Sequence, residues 1–113
     1  MVLTLGLGAG FASDEHTQRP ITLTGTVVDT GCYIAHDSSG PDHLNCAQEC
    51  AKKGVPLAIV DDAGKLYSIV AVDHENPNTK LMPFIEKKVK VTGTLFEKGG
   101  ASGVWLKTIS EVK

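Results

Sequence analysis

The chain has 113 residues, with eleven basic and thirteen acidic side chains and a formal net charge of −2 when the histidines are neutral. This is the length of one domain, which can bury one core and should carry one site. No cluster of Lys and Arg suits a nucleic acid or an anionic membrane, and aromatic residues make up only 5% of the chain, too few for a base-stacking platform. We therefore expect no nucleic-acid partner and, for the mature protein, no membrane partner.

The first residues, 1–12, are apolar or small and carry no charge, and the chain becomes polar at Ser13. The stretch is shorter than the roughly 20 residues that span a bilayer. Its end at Gly10 and Ala12 suits a signal-peptidase site, although a basic segment before it is missing. The pattern predicts the remnant of a signal peptide and a flexible N-terminus within residues 1–20, with an ordinary buried strand as the alternative. We expect a periplasmic or secreted bacterial protein.

The single domain is expected at residues 21–113, and its sequence is dominated by β patterns. From Ile21 apolar residues alternate with threonines, and Gly25 lies in the middle of this strand. The segment 89–96 repeats the design around Gly93, and a glycine at such a place indicates a bulge or a barrel bend. Three further segments rich in apolar and β-branched residues complete a set of five strands: 57–60, 66–72 and 104–109.

Two helical segments interrupt the strands. The stretch 79–88 has apolar residues at helical spacing, and its short length predicts a plug at one end of a barrel. The segment 41–53 begins with a proline behind a capping residue and ends before Gly54. Five strands with a short helix between the third and fourth predict a mainly β fold. This pattern resembles the OB-fold barrel over residues 21–112, with the helical insert 41–53 between strands one and two.

The residues with metal-binding chemistry are concentrated at this insert. Cys32 ends the predicted first strand, and the predicted helix supplies His43, Cys46 and Cys50. At about 100° per residue, the three helical positions fall within about 60° of one another and form one stripe. With Cys32 above the stripe, three sulfur ligands and one nitrogen suit tetrahedral Zn(II) or, through two or three thiolates, Cu(I). The pattern predicts one zinc or copper ion per chain.

Other interpretations of these residues remain open at this point. A disulfide from Cys32 to Cys46 or Cys50 would leave one free thiol, and the chain would then be a disulfide-stapled module that binds a protein or a small ligand. A thiol redox protein is a third possibility. His36 is an additional candidate ligand, although a loop histidine is more often solvated. The motifs C-x-x-C, G-x-S-x-G and H-E-x-x-H are absent, so we expect no enzyme.

Part of the sequence also resembles a known kind of protein. The sequence from 26 to 33, with His43, Cys46, Cys50 and the stretch 54–59, resembles small exported bacterial OB-fold-like proteins that have a Cys/His-bearing helical insert. The resemblance implies this fold and export, and no particular function. From the residues themselves we predict an exported metal-binding protein, with structural zinc and copper handling as its two forms. Its partners would be a metal ion and another exported protein.

Overall fold

The computed structural model describes residues 15–113. Its strands are β1 (Thr17–Asp29), β2 (Leu57–Asp61), β3 (Leu66–Ile69), β4 (Lys88–Lys98) and β5 (Ala101–Glu111). They form a closed barrel in the order β1-β2-β3-β5-β4, in which β3 and β5 are parallel and the other neighbours are antiparallel. The predicted five-stranded OB-like barrel is thereby confirmed.

Helical segments lie in the two predicted connections. Between β1 and β2 the chain forms α1 (Thr30–His36), a 3₁₀ turn (Pro41–His43) and α2 (Leu44–Lys52). Between β3 and β4 it forms α3 (Asn78–Leu81) and a second 3₁₀ turn (Met82–Phe84). The α-helix here is shorter than the predicted 79–88, because Pro83 lacks an N–H group and its ring crowds the preceding turn. No helix among the described residues has the length and apolar character needed to cross a membrane.

The first strand starts earlier than expected. β1 begins at Thr17 rather than Ile21, and residues 17–20 pair with the end of β4 up to Glu97. These four positions are all exposed, so they lack the apolar alternation that identifies a strand in the sequence. The flexible N-terminus was therefore predicted to extend too far, and the signal-peptide remnant at 1–12 lies outside the described residues.

Two glycines allow neighbouring strands to approach closely. A Cβ atom at Gly25 would collide with the backbone of Val60, and one at Gly93 would collide with the backbone of Trp105. Around Gly25, β1 leaves β4 and pairs with β2 instead. The register of β4 with β5 shifts between Thr92 and Gly93. The irregularity predicted at Gly93 is present, and Gly25 lies where the pairing of β1 with β2 begins.

The hydrophobic core fills the barrel and extends to its helical end. Leu81 and Ile85 cover that end, and Ala47 and Ala51 of α2 pack against the same cluster. The barrel itself contributes Leu23, Val27, Leu57, Ile59, Tyr67, Val89, Val91, Leu95, Val104 and Leu106. The small alanine side chains bring the backbone of α2 close to the barrel. This packing leaves the neighbouring face of α2, which carries two cysteines, outside the core.

Candidate metal centre

A buried amide fixes the end of α2 to the barrel. Asn78 is only 6% exposed. Its Oδ1 accepts a hydrogen bond from the N–H of Leu57 at 2.9 Å, and its Nδ2 donates to the carbonyls of Ala51 at 3.3 Å and Val55 at 2.9 Å. Because these carbonyls lie on either side of the end of α2, the bonds tie that helix to both β2 and α3. The position of Cys50 is set by contacts that involve no thiol.

The first cysteine lies at the start of α1. Asp29 caps this helix, and its Oδ1 accepts a hydrogen bond from the N–H of Cys32 at 2.7 Å. The N–H and the hydroxyl of Thr30 both donate to the carbonyl of Pro56, at 3.0 and 2.9 Å. The prediction that Cys32 ends the first strand was therefore wrong. This residue belongs to a short helix that is attached to the chain just before β2.

The predicted helix 41–53 has two parts. Pro41–His43 is a 3₁₀ turn, and α2 follows it and ends before Gly54, which has φ 100°. A 3₁₀ helix turns by about 120° per residue, in contrast to the α-helix. His43, with φ −95° and ψ 0°, precedes the α-helical part. The predicted α-helical stripe therefore includes Cys46 and Cys50, whereas His43 departs from it.

The three thiols meet where α1 faces α2. The Sγ atoms of Cys32, Cys46 and Cys50 all lie within 4.8 Å of one another. All three are free thiols, with Cys46 exposed and the other two half-buried. Three sulfurs bound at about 2.3 Å to a tetrahedral zinc ion lie about 3.8 Å apart. The cluster, referred to below as the thiol trio, needs only small side-chain adjustments to hold an ion.

A second set of ligand atoms shares one of these cysteines. A carboxylate oxygen of Asp29, the Sγ of Cys32 and a ring nitrogen of His43 also lie within 4.8 Å of one another. The Asp29 side chain is 0% exposed, and its Oδ2 lies 2.9 Å from Nε2 of His43, whose side chain is 15% exposed. The four predicted ligands are thus divided between two sets that meet at Cys32. Asp29 was not predicted as a ligand. The sequence feature that could have identified it is an acidic residue at a helix-capping position shortly before a cysteine.

Glu86 places another carboxylate near the second set. Its backbone has a φ of 61°, and its N–H donates to the carbonyl of Val27 at 2.8 Å. Oε1 accepts a hydrogen bond from the N–H of Gly40 at 2.7 Å, whereas Oε2 is buried and has no hydrogen-bond partner within residues 15–113. Burial raises the pKa of Glu86, an effect that Gly40 and His43 oppose and that Asp29 reinforces. Glu86 thus interacts electrostatically with both His43 and Asp29.

The surroundings of the thiol trio disfavour thiolates when no cation is bound. Burial raises the pKa of Cys32 to about 12, and the carboxylate of Asp29 and the two other thiols contribute to the shift. Burial, Asp29 and Cys46 also raise the pKa of Cys50. Both residues therefore carry a proton at neutral pH. A bound metal ion reverses this preference, because its positive charge stabilises the thiolate that coordinates it.

The additional predicted ligand lies apart from both sets. His36 is the last residue of α1 and is exposed. Within the described part of the chain, the two sets of ligand atoms consist of Asp29, Cys32, His43, Cys46 and Cys50. The surface position of His36 agrees with the more common case of a solvated histidine.

The chain was compared with protein-family models, with curated proteins and with solved structures, and none of them matches it. The chemistry of the two ligand sets is therefore the main indication of its function.

Proposed function

We propose that the chain is an exported, non-enzymatic protein that binds a thiophilic metal ion, zinc or copper, through Cys32, Cys46 and Cys50. The observation that carries this proposal is the approach of the three Sγ atoms to within 4.8 Å of one another. The cysteines come from α1 and α2, so the trio forms only when both helices are folded. Thiolates are the preferred ligands of Cu(I) and are common ligands of Zn(II). Export is inferred from the signal-peptide pattern at residues 1–12.

The contacts that attach α1 and α2 to the barrel favour an exchangeable ion over a structural one. Asp29 caps α1, Asn78 holds the end of α2, and Ala47 packs into the core. None of these contacts uses a thiol, so they attach α1 and α2 to the barrel without help from a metal ion. Cys46 is exposed, and this gives a competing ligand access to the ion. We infer that the ion can leave while the barrel and the insert stay folded, as expected of a metal-handling protein.

The coordination number distinguishes the two candidate metals. Cu(I) is satisfied by two or three thiolates, whereas zinc in a protein site usually has four ligands. The trio supplies three thiolates, so a zinc ion bound there would need a fourth ligand from outside the trio. The thiol trio is common to both metals.

The two competing functions have weaker support. A disulfide-stapled module requires two of the cysteines to be paired, and all three are free. A thiol redox protein requires a stabilised thiolate, and the raised pKa values of Cys32 and Cys50 oppose one at those positions.

The test is a titration of the reduced, tag-free protein with Zn(II) and with Cu(I), each in competition with a chromophoric chelator. We expect Cys46→Ser to weaken binding about tenfold or more, since even the loss of a residue that orients a ligand costs about that much. Asn45→Ser, an exposed neighbour on α2, is the matched control and should bind like the wild type. Circular dichroism should be unchanged when the ion is removed. Equal affinities for the wild type and Cys46→Ser would contradict the proposal.

A further inference from the structure

The second set of ligand atoms has the dimensions of a metal site. Two ligands bound at about 2.0 Å to one tetrahedral ion lie about 3.3 Å apart. Oδ2 of Asp29 and Nε2 of His43 are 2.9 Å apart, so a small separation of this pair would admit an ion between them. The Sγ of Cys32 lies within 4.8 Å of a carboxylate oxygen of Asp29 and of a ring nitrogen of His43. Oxygen, nitrogen and sulfur ligands thus converge beside the thiol trio.

The charge of the combined site favours two divalent ions over one. Three thiolates and the carboxylate of Asp29 would carry four negative charges, and this carboxylate is fully buried. One divalent ion balances half of this charge, and two ions balance all of it. Charge that remains unbalanced in a partly buried site is costly.

The two sets also differ in the type of ion they prefer. The thiol trio offers only sulfur atoms, which are soft ligands. The second set combines one sulfur with a carboxylate oxygen and an imidazole nitrogen. Mixed ligands of this kind suit a borderline divalent ion such as zinc and are poor ligands for Cu(I). The second position is therefore expected to bind zinc whichever ion occupies the trio.

We propose that Asp29, Cys32 and His43 form a second metal site, and that the thiolate of Cys32 bridges two ions in a binuclear centre. One ion is held by the thiol trio and the other by the second set. The inference rests on the proposed function, because the bridge requires that Cys32 also binds the ion of the trio. Beyond the proposed function, this inference adds a second metal site and makes Asp29 a metal ligand. It also raises the binding capacity to two divalent ions per chain.

The test counts zinc ions bound by the tag-free protein, by native mass spectrometry and by chelator competition. We expect two ions for the wild type and one for either His43→Gln or Asp29→Asn. In the second variant the asparagine can still cap α1, so the loss reports the ligand and not the helix. Asp42→Asn, an exposed acidic neighbour, is the control and should bind two ions. Circular dichroism of each variant checks that it is folded.

Cadmium NMR of the loaded protein gives an independent readout. We expect two resonances in the wild type, one at a position typical of thiolate ligation and one shifted by oxygen and nitrogen ligands, and only the first in His43→Gln. A wild type that binds one ion, with all three thiols protected from alkylation, would overturn the second site and leave the proposed function intact. A wild type that binds no ion would overturn both.

Discussion

Asp29 and His43 are fourteen residues apart in the chain, yet Oδ2 of the first lies 2.9 Å from Nε2 of the second. The other oxygen of Asp29 accepts the N–H of Cys32 at 2.7 Å. One buried carboxylate therefore positions both the helix that carries the first cysteine and the histidine. The negative charge of Asp29 also contributes to the raised pKa values of Cys32 and Cys50. The same residue thus controls the geometry and the electrostatics of the site.

Replacing Asp29 should show how much its hydrogen bonds contribute to stability. Asp29→Ala removes a helix cap and a buried hydrogen bond, each worth about 1 kcal/mol, so we expect it to lower the free energy of unfolding by about 2 kcal/mol. Asp29→Asn keeps a capping oxygen and should lose less. Urea unfolding measures both, with the exposed Asp42→Ala as a control that should change stability by no more than about 0.5 kcal/mol. An Asp29→Ala protein as stable as the wild type would show that the cap is not needed.

Asn78 is the second residue on which the insert depends. Asn78→Ala leaves the buried N–H of Leu57 and the carbonyls of Ala51 and Val55 without their side-chain partner. The carbonyl of Ala51 keeps the N–H of Gly54 as a donor at 3.1 Å, so two groups are left unsatisfied. At about 1 to 3 kcal/mol each, we expect destabilisation of about 2 to 6 kcal/mol in urea unfolding. Asn45→Ala, at an exposed position of α2, is the control. Similar stabilities for the two variants would mean that the amide does not anchor the helix.

The three cysteines should differ in their rates of alkylation. Cys46 is exposed, so we expect iodoacetamide to modify it first in the metal-free protein. Cys32 should react slowest, because its pKa is raised to about 12 and the thiolate is the reactive form. Peptide mass spectrometry over a time course measures the order. Labelling of Cys32 before Cys46 would indicate a reactive thiol and favour the redox interpretation.

Metal binding should weaken as the pH falls. The raised pKa values of Cys32 and Cys50 keep both thiols protonated at neutral pH. Coordination must therefore displace at least these two protons, and the apparent affinity should fall by at least about a hundredfold for each unit of decreasing pH. Chelator competition between about pH 6 and 8 measures the slope, and a pH indicator in weak buffer detects the released protons. Binding without proton release would exclude coordination by these thiols.

The barrel could be predicted because its signals are local. Alternating apolar residues and threonines identify β1 and β4, and Gly93 marks the register shift between β4 and β5. The end of α2 before Gly54 was also predicted, since a residue with positive φ is a common helix stop. α1 was missed because none of its residues is buried, so it has no apolar periodicity. Residues 17–20 of β1 were missed for the same reason.

The candidate site could be predicted only in part. The cysteines and His43 were identified from their residue types and spacing. Their division into two sets could not be, because it depends on a 3₁₀ turn before α2 and on the contact of His43 with Asp29. A contact across fourteen residues leaves no periodic trace in one sequence. The roles of Asp29 and Asn78 therefore required the three-dimensional structure.

The most direct test of metal binding by the thiol trio is elemental analysis of tag-free protein purified without chelator, together with a count of free thiols after denaturation. We expect one or two zinc or copper ions per chain, and all three thiols titratable once the metal is removed. Protein that carries no metal, takes none up when reduced and has a single free thiol as purified would contradict the account. The cysteines would then be a disulfide scaffold.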